Sequence, residues 1–206
     1  MSTEQEVWNK GKVVGRKPPL TPEQVQVIKT LLSQAGNIRD IALFSLAIDS
    51  SLRGCDVVAL KVSDVMTVTG AKERVTINQR KTGQRVTVAL TPYTQEAIKE
   101  LVATEGKGWN DALFTGQRKG KKTALTPTHY RRLVKEWLSL ARLDVSQYGS
   151  HSLRRTKVAL VYQKTGNLKV AQVLLGHKSI QHTQNYLGIE EEQALQISEQ
   201  FSHLFR

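Results

Sequence analysis

The chain has 206 residues, 39% hydrophobic and 23% charged, which provides for one sizeable buried core and excludes a disordered polymer. Thirty Lys and Arg against eighteen Asp and Glu leave a formal net charge of +12, which favours a polyanionic partner, nucleic acid before an anionic membrane surface. The single cysteine, Cys55, excludes an internal disulfide and any zinc site built on cysteines.

Residues 1–19 lack periodicity, carry Lys10, Lys12, Arg16 and Lys17, and end in Pro18-Pro19. They read as a basic, flexible N-terminal arm, either a plain tail or a segment that touches phosphates. Glu4 and Glu6 with no apolar core give no signal peptide. The longest nearly apolar stretch, Ile41 to Ile48, is broken by Ser45 and falls far short of the ~20 residues that span a bilayer. The expectation is a cytoplasmic protein with no membrane partner.

Thr21-Pro22, Thr91-Pro92 and Thr126-Pro127 each set a capping hydroxyl before a proline suited to a first helical turn. Gln24, three residues after Thr21, completes a capping box. The first helix should run to about Ala35. Residues 38–50 are apolar nearly all round and predict a buried helix. Val75-Thr76-Ile77 and Arg85 to Leu90 predict a β-hairpin turning at Gly83, and Val65 to Val68 a possible third strand. Helical spacing returns after Pro92 and Pro127, and a Gly- and Lys-rich loop (Gly116 to Lys122) joins those two helices. Further helices are expected over His151–Thr165, stopping at Gly166, over Leu168–Leu175, around Tyr186, and over 190–205, where Glu190, Glu191 and Glu192 suit the helix dipole. The fold class predicted is α+β and mostly α-helical, with a small antiparallel sheet at one edge.

Single residues with chemical potential each have an ordinary explanation. His151 and Arg154 share a helical face and suit an anion, yet such pairs are common on surfaces. His177 follows a helix end, as capping histidines do. Arg53 and Asp56, three apart, fit an intrahelical ion pair. Lys81 at a hairpin tip fits a solvated lysine, and Tyr186 is one of five tyrosines.

Their order is more telling than any one of them. Ser-Leu-Arg53-x-x-Asp56-x-x-x-Leu60, Lys81-Thr-Gly in a hairpin, His151-Ser-Leu-Arg154-Arg-Thr, Leu174-Leu-Gly-His177-Lys-Ser and Thr183-x-x-Tyr186 together resemble the tyrosine site-specific recombinases, or phage integrases. The resemblance spans roughly residues 20 to 190. It implies a catalytic domain over 20–189, with 190–206 a C-terminal helix that docks on a neighbouring protomer or packs on its own core. It departs from the family pattern at Ser51, where Gly is frequent, and at Asp56, where Glu is frequent. Asp56 is still expected to orient Arg53, with less reach. The family usually carries a separate DNA-clamping domain ahead of the catalytic one. Only about 20 residues precede the match, as in a short member such as the fimbrial phase-switch invertases or in an excised catalytic fragment.

The resemblance implies cleavage and rejoining of DNA strands through a covalent 3′-phosphotyrosine, in integration, excision or inversion. No cofactor is implied: neither metal nor ATP. Arg53, Arg154 and His177 would hold the non-bridging phosphate oxygens, Tyr186 would attack, Lys81 would protonate the leaving 5′ oxygen, and His151 would assist proton removal. Neighbouring cations are expected to lower the Tyr186 phenol from its usual pKa of about 10. The partner is double-stranded DNA, bound by a tetramer assembled on it from a monomer or weak oligomer. Arg118, Lys119, Lys121, Lys122, Arg131, Arg132 and Lys135 would face its backbone. Alternatives are type IB topoisomerase-like relaxation, a basic module that holds DNA without cutting it, and a membrane- or RNA-binding module.

Overall fold

Three helices begin where the threonine–proline pairs predict them. In the computed structural model, which describes residues 16–118 and 121–188, the chain order opens with α1 (Pro22–Gln34), α2 (Ile38–Ser50) and the single turns α3 (Gly54–Val57) and α4 (Val62–Val65). The ribbons β1 (Met66–Thr67) with β2 (Gly70–Ala71), and β3 (Arg74–Asn78) with β4 (Arg85–Ala89), follow. Then come α5 (Pro92–Thr104), the ribbon β5 (Thr115–Arg118) with β6 (Lys121–Ala124), α6 (Pro127–Leu140), α7 (Ser150–Thr165), α8 (Leu168–Leu175) and α9 (Ile180–Leu187). Thr21, Thr91 and Thr126 accept hydrogen bonds from the backbone N–H groups of Gln24 (3.2 Å), Thr94 (3.4 Å) and His129 (3.1 Å). Gln24 Oε1 returns the bond to the Thr21 N–H at 2.9 Å, closing the capping box.

Helix α2 is the centre of the main core. Its residues from Ala42 to Ser50 are all buried, and it packs against α1, α5, α7 and β4. The two carboxylates of α2 in that interior are bonded: Asp40 Oδ2 accepts from Trp137 Nε1 at 2.9 Å, and Asp49 Oδ2 accepts from the Thr91 N–H at 2.8 Å. In β4 burial alternates, so Val86 and Val88 face the core while Arg85, Thr87 and Ala89 face solvent. A second, smaller apolar cluster lies apart. Val158, Ala171 and Leu175 form it, with Tyr162, Leu174, Tyr186 and Leu187 packed around them.

Two local expectations change. Val65 to Val68 adds no strand to the β3–β4 hairpin: α4 takes up Val65, and Met66–Thr67 pairs with Gly70–Ala71 instead. The Gly- and Lys-rich loop forms the β5–β6 ribbon, with Thr115 opposite Ala124 and Arg118 opposite Lys121. Every residue of β6 is exposed and the buried residue of β5 is a glycine, Gly116, so the ribbon leaves no hydrophobic alternation to read. The single small sheet expected is therefore three two-stranded antiparallel ribbons among the described residues. The arm through residue 15 and the helix expected over 190–205 lie outside the described residues. Among the described residues no helix is long and apolar enough to cross a membrane.

Candidate active site

Helix α2 ends at Ser51 in the left-handed conformation (φ 51°, ψ 27°), unusual for a residue with a Cβ. Leu52 then enters the core, and Arg53 stands in extended conformation as the N-cap of α3. Gly54 follows because a Cβ there would meet Tyr130 Cδ1 at 2.7 Å. The β3–β4 turn carries Lys81, with Gly83 at φ +66° supplying the predicted turn. His151 and Arg154 occupy the first turns of α7. Helix α8 ends at Gly176 (φ +64°), immediately before His177, and α9 carries Tyr186.

These elements bring Arg53, Lys81, His177 and Tyr186 onto one open cleft of about 710 Å³. Arg16, Arg155, Lys178 and His182 line it as well, so the cleft is rich in cationic and basic side chains. Arg154 is buried (4% exposed) behind the Tyr186 ring, its guanidinium carbon 5.7 Å from the ring centroid. Arg155 lies closer, at 4.5 Å. His151 is exposed at the start of α7, within electrostatic reach of Arg155, Arg154, Arg53 and Lys81. The six side chains singled out in the sequence therefore gather at one place.

Partial loss of water around the ring, then the positive charges of Arg155, Arg154, Arg53 and Lys81, hold the His151 imidazole below its usual range. Burial, then Arg154, Arg53 and His182, push His177 down to about 4. Both rings are consequently neutral near pH 7. His177 Nδ1 lies 3.1 Å from the Thr183 hydroxyl, whose alternative partner, the Ser179 carbonyl, is farther at 3.5 Å. The Thr183 hydroxyl therefore fixes the orientation of the imidazole beside the cleft.

Tyr186 differs from the expectation. Burial raises its phenol above the ordinary value, and the opposing pull of Arg154 and Arg155 does not overcome it. The hydroxyl is buried and has no hydrogen-bond partner among the described residues. Its ring packs edge-on to His177, with centroids 5.4 Å apart. Asp56 is also placed differently. It is buried, and its Oδ1 accepts the Arg80 backbone N–H at 2.8 Å, so it grips the lysine turn and makes no hydrogen bond to Arg53.

Arg53 instead donates to Gln79 Oε1. Nothing in the sequence marks Gln79, a polar residue at a hairpin end where solvent exposure is the default. Arg155 was visible beside Arg154, but residues one apart on a helix normally face different directions, and the packing of α9 across α7 brings both to Tyr186. The expected backbone-facing cations do not line the cleft. Lys121, Lys122, Arg131, Arg132 and Lys135 are exposed on β6 and α6. Lys122 lies 3.4 Å from Glu105 and Arg132 lies 3.5 Å from Glu136. Lys119 and the Arg118 side chain lie outside the described residues. Among the described residues no group of three or more His, Cys, Asp or Glu is arranged to hold a metal.

The model of the phage integrase family matches residues 19–193. A probable integrase/recombinase YoeC of Bacillus subtilis (strain 168) is 28% identical over 176 residues, covering 85% of this chain and 91% of that protein. The tyrosine recombinase XerC of Caldanaerobacter subterraneus subsp. tengcongensis is 26% identical over 207 residues, and this chain spans only 56% of its length. Among solved structures, XerA recombinase is similar at a TM-score of 0.71 and 19% identity, over 93% of this chain and 66% of that one. XerH recombinase bound to its difH substrate is similar at 0.69 and 20% identity, over 91% of this chain and 56% of that one. At such identities the structural likeness establishes the fold.

Proposed function

The chain belongs to the phage integrase family, and from that premise we propose that it is a site-specific DNA recombinase acting through a covalent phosphotyrosine. The observation that carries this reading is the convergence of Arg53, Lys81, His177 and Tyr186 on one cleft, backed by Arg154. A phosphodiester is anionic, so its attack requires cations on the non-bridging oxygens, an in-line nucleophile and a proton for the leaving group. Arg53 and Arg154 supply the charge, and the planar guanidinium fork suits phosphate oxygens. His177 adds a further hydrogen-bond donor to the phosphate. Neutral His151 accepts the phenolic proton, and Tyr186 Oη bonds to phosphorus as the 5′ oxygen leaves with a proton from Lys81. A 5′-hydroxyl of another strand reverses these steps, so the bond energy is retained and no nucleotide hydrolysis is needed.

The raised phenol fits a nucleophile withheld until DNA is bound. A phosphate in the cleft would draw Arg53 and Arg154 into a new ion pair, and α9 must turn the hydroxyl out from its buried position against Arg154 and Arg155. The exposed cations of β6 and α6 are assigned to the DNA backbone, and a tetramer assembled on double-stranded DNA is the assembly proposed. Two relatives' structures are described as DNA complexes, XerH on difH and lambda integrase on a core site, which supports DNA as the partner.

Nicked duplexes carrying candidate sites test the reading. The expected result is an adduct that survives SDS, disappears with protease, and is absent in Tyr186→Phe. Failure of the wild-type chain to form any adduct, even on its own flanking DNA, would overturn it.

A further inference from the structure

Gln79 follows β3 directly and is only 1% exposed. An amide buried to that degree is costly unless bonded, because an unpaired polar group forfeits its hydration. Here both ends of the amide are used. Oε1 accepts from the Arg53 guanidinium and from the Thr82 hydroxyl, the latter at 2.9 Å. Nε2 donates to the Leu175 carbonyl at 2.9 Å. The backbone of Gln79 closes the lysine turn, donating to Gln84 O at 2.8 Å and accepting from the Gly83 N–H at 2.7 Å.

Leu175 O belongs to the last turn of α8, where helix carbonyls lack intrahelical partners. It accepts a second bond, from Arg154 Nη2 at 3.1 Å. A carbonyl oxygen has two lone pairs and can serve both donors. One unbroken path therefore runs from Arg53 through the Gln79 amide and the Leu175 carbonyl to Arg154. The neighbouring residue is glycine for the same reason: a Cβ on Gly176 would lie 3.0 Å from Gln79 Nε2 and 2.4 Å from Val86 Cγ2.

The geometry points to Gln79 as a positioning residue that fixes both arginines and the Lys81 turn in one register for the scissile phosphate. It holds Arg53 at a single guanidinium nitrogen and leaves the other N–H groups for an anion. A hydrocarbon of the same length would fill the space without orienting anything. This inference rests on the recombinase reading and adds a residue to it.

The test is Gln79→Met, scored by the first-order rate of adduct formation on a nicked duplex and by DNA affinity. The expected rate falls by about 100-fold, of the order seen when a second-sphere partner or one transition-state donor is lost, while affinity stays within about threefold because many other cations grip the backbone. The decisive measurement repeats the comparison with a methylphosphonate at the scissile position. That linkage has no negative non-bridging oxygen, so misplaced arginines matter less, and the defect should shrink to under about tenfold. A rate close to wild type, or a defect of equal size on both linkages, overturns the inference. If Gln79→Met does not fold, Gln79→Glu takes its place, keeping the acceptor for Arg53 while dropping the donor to Leu175. Loss of fold in both assigns Gln79 a purely structural role. A wild-type chain that makes no adduct sinks the recombinase reading; a wild-type adduct matched by the variant sinks only the role of Gln79.

Discussion

A histidine that titrates near 4 makes the site sensitive to acid in a defined direction. The ordinary imidazole titrates near 6.5, and His177 is pushed down to about 4 by burial and by Arg154 and Arg53. Between those values the unfolded chain binds more protons than the folded one, so stability rises with pH there. It is lost as pH falls from about 6.5 towards 4, with no further loss from this group below. His151 is lowered too and adds in the same sense. Thermal unfolding across this window should show the midpoint falling with pH, and His177→Gln should flatten the slope. Equal slopes in the two proteins would place the lost protons elsewhere. Six site positions were legible in the sequence because their residue types and order are specific together. The sense of the Tyr186 shift was not, because it depends on how deeply α9 buries the ring, and composition says nothing about depth. Gln79 and the true partner of Asp56 were hidden for a related reason: hydrogen bonds between side chains and distant backbone leave no periodic trace.

Among the elements that carry the candidate site, α9 stands on little support. It is eight residues long, ends at Gly188 in left-handed conformation, and leans on a small cluster separate from the main core. Few buried contacts mean cheap local opening. Amide exchange in α9 should therefore proceed at least about tenfold faster than in α2, a gap of ~1.4 kcal/mol in opening free energy. Matching protection in the two helices would mean that α9 opens only when the whole protein unfolds, which would leave Tyr186 no independent route to the phosphate. Helix boundaries were readable almost to the residue because the threonine–proline caps and the glycines at 166 and 176 are local signals. Ribbon β5–β6 was not, since its strands carry no alternating apolar side chains.

At the scale of the molecule, the +12 charge divides between a recessed cleft and an exposed outer surface. With the exposed cations of β6 and α6 proposed to grip the DNA backbone, affinity and chemistry should separate. Each phosphate neutralised lowers log K by about 0.9 per tenfold rise in salt. Replacing Arg131 and Lys135, both exposed on α6, by Ala should reduce that slope by about two and leave the cleavage rate of the bound complex near wild type. An unchanged slope would remove α6 from the DNA-facing surface. The fold class followed from the density of helical patterning over the chain, whereas the pairing of short exposed strands depended on contacts that no local pattern encodes.

The left-handed residue at the end of α2 turns a helix length into a chemical parameter. Had Ser51 kept helical angles, the next residues would have followed the spiral, each turned by about 100° and advanced by about 1.5 Å. Arg53, two positions on, would then point along a different bearing, away from the hairpin that holds it. The backbone kink works as a ruler stop: it decides on which residue the thirteen-residue rod of α2 ends, and with it the aim of a guanidinium. Insertions within that rod should be tolerated far less than insertions at the exposed Val68–Thr69 turn between β1 and β2, even where the apolar packing itself could absorb them.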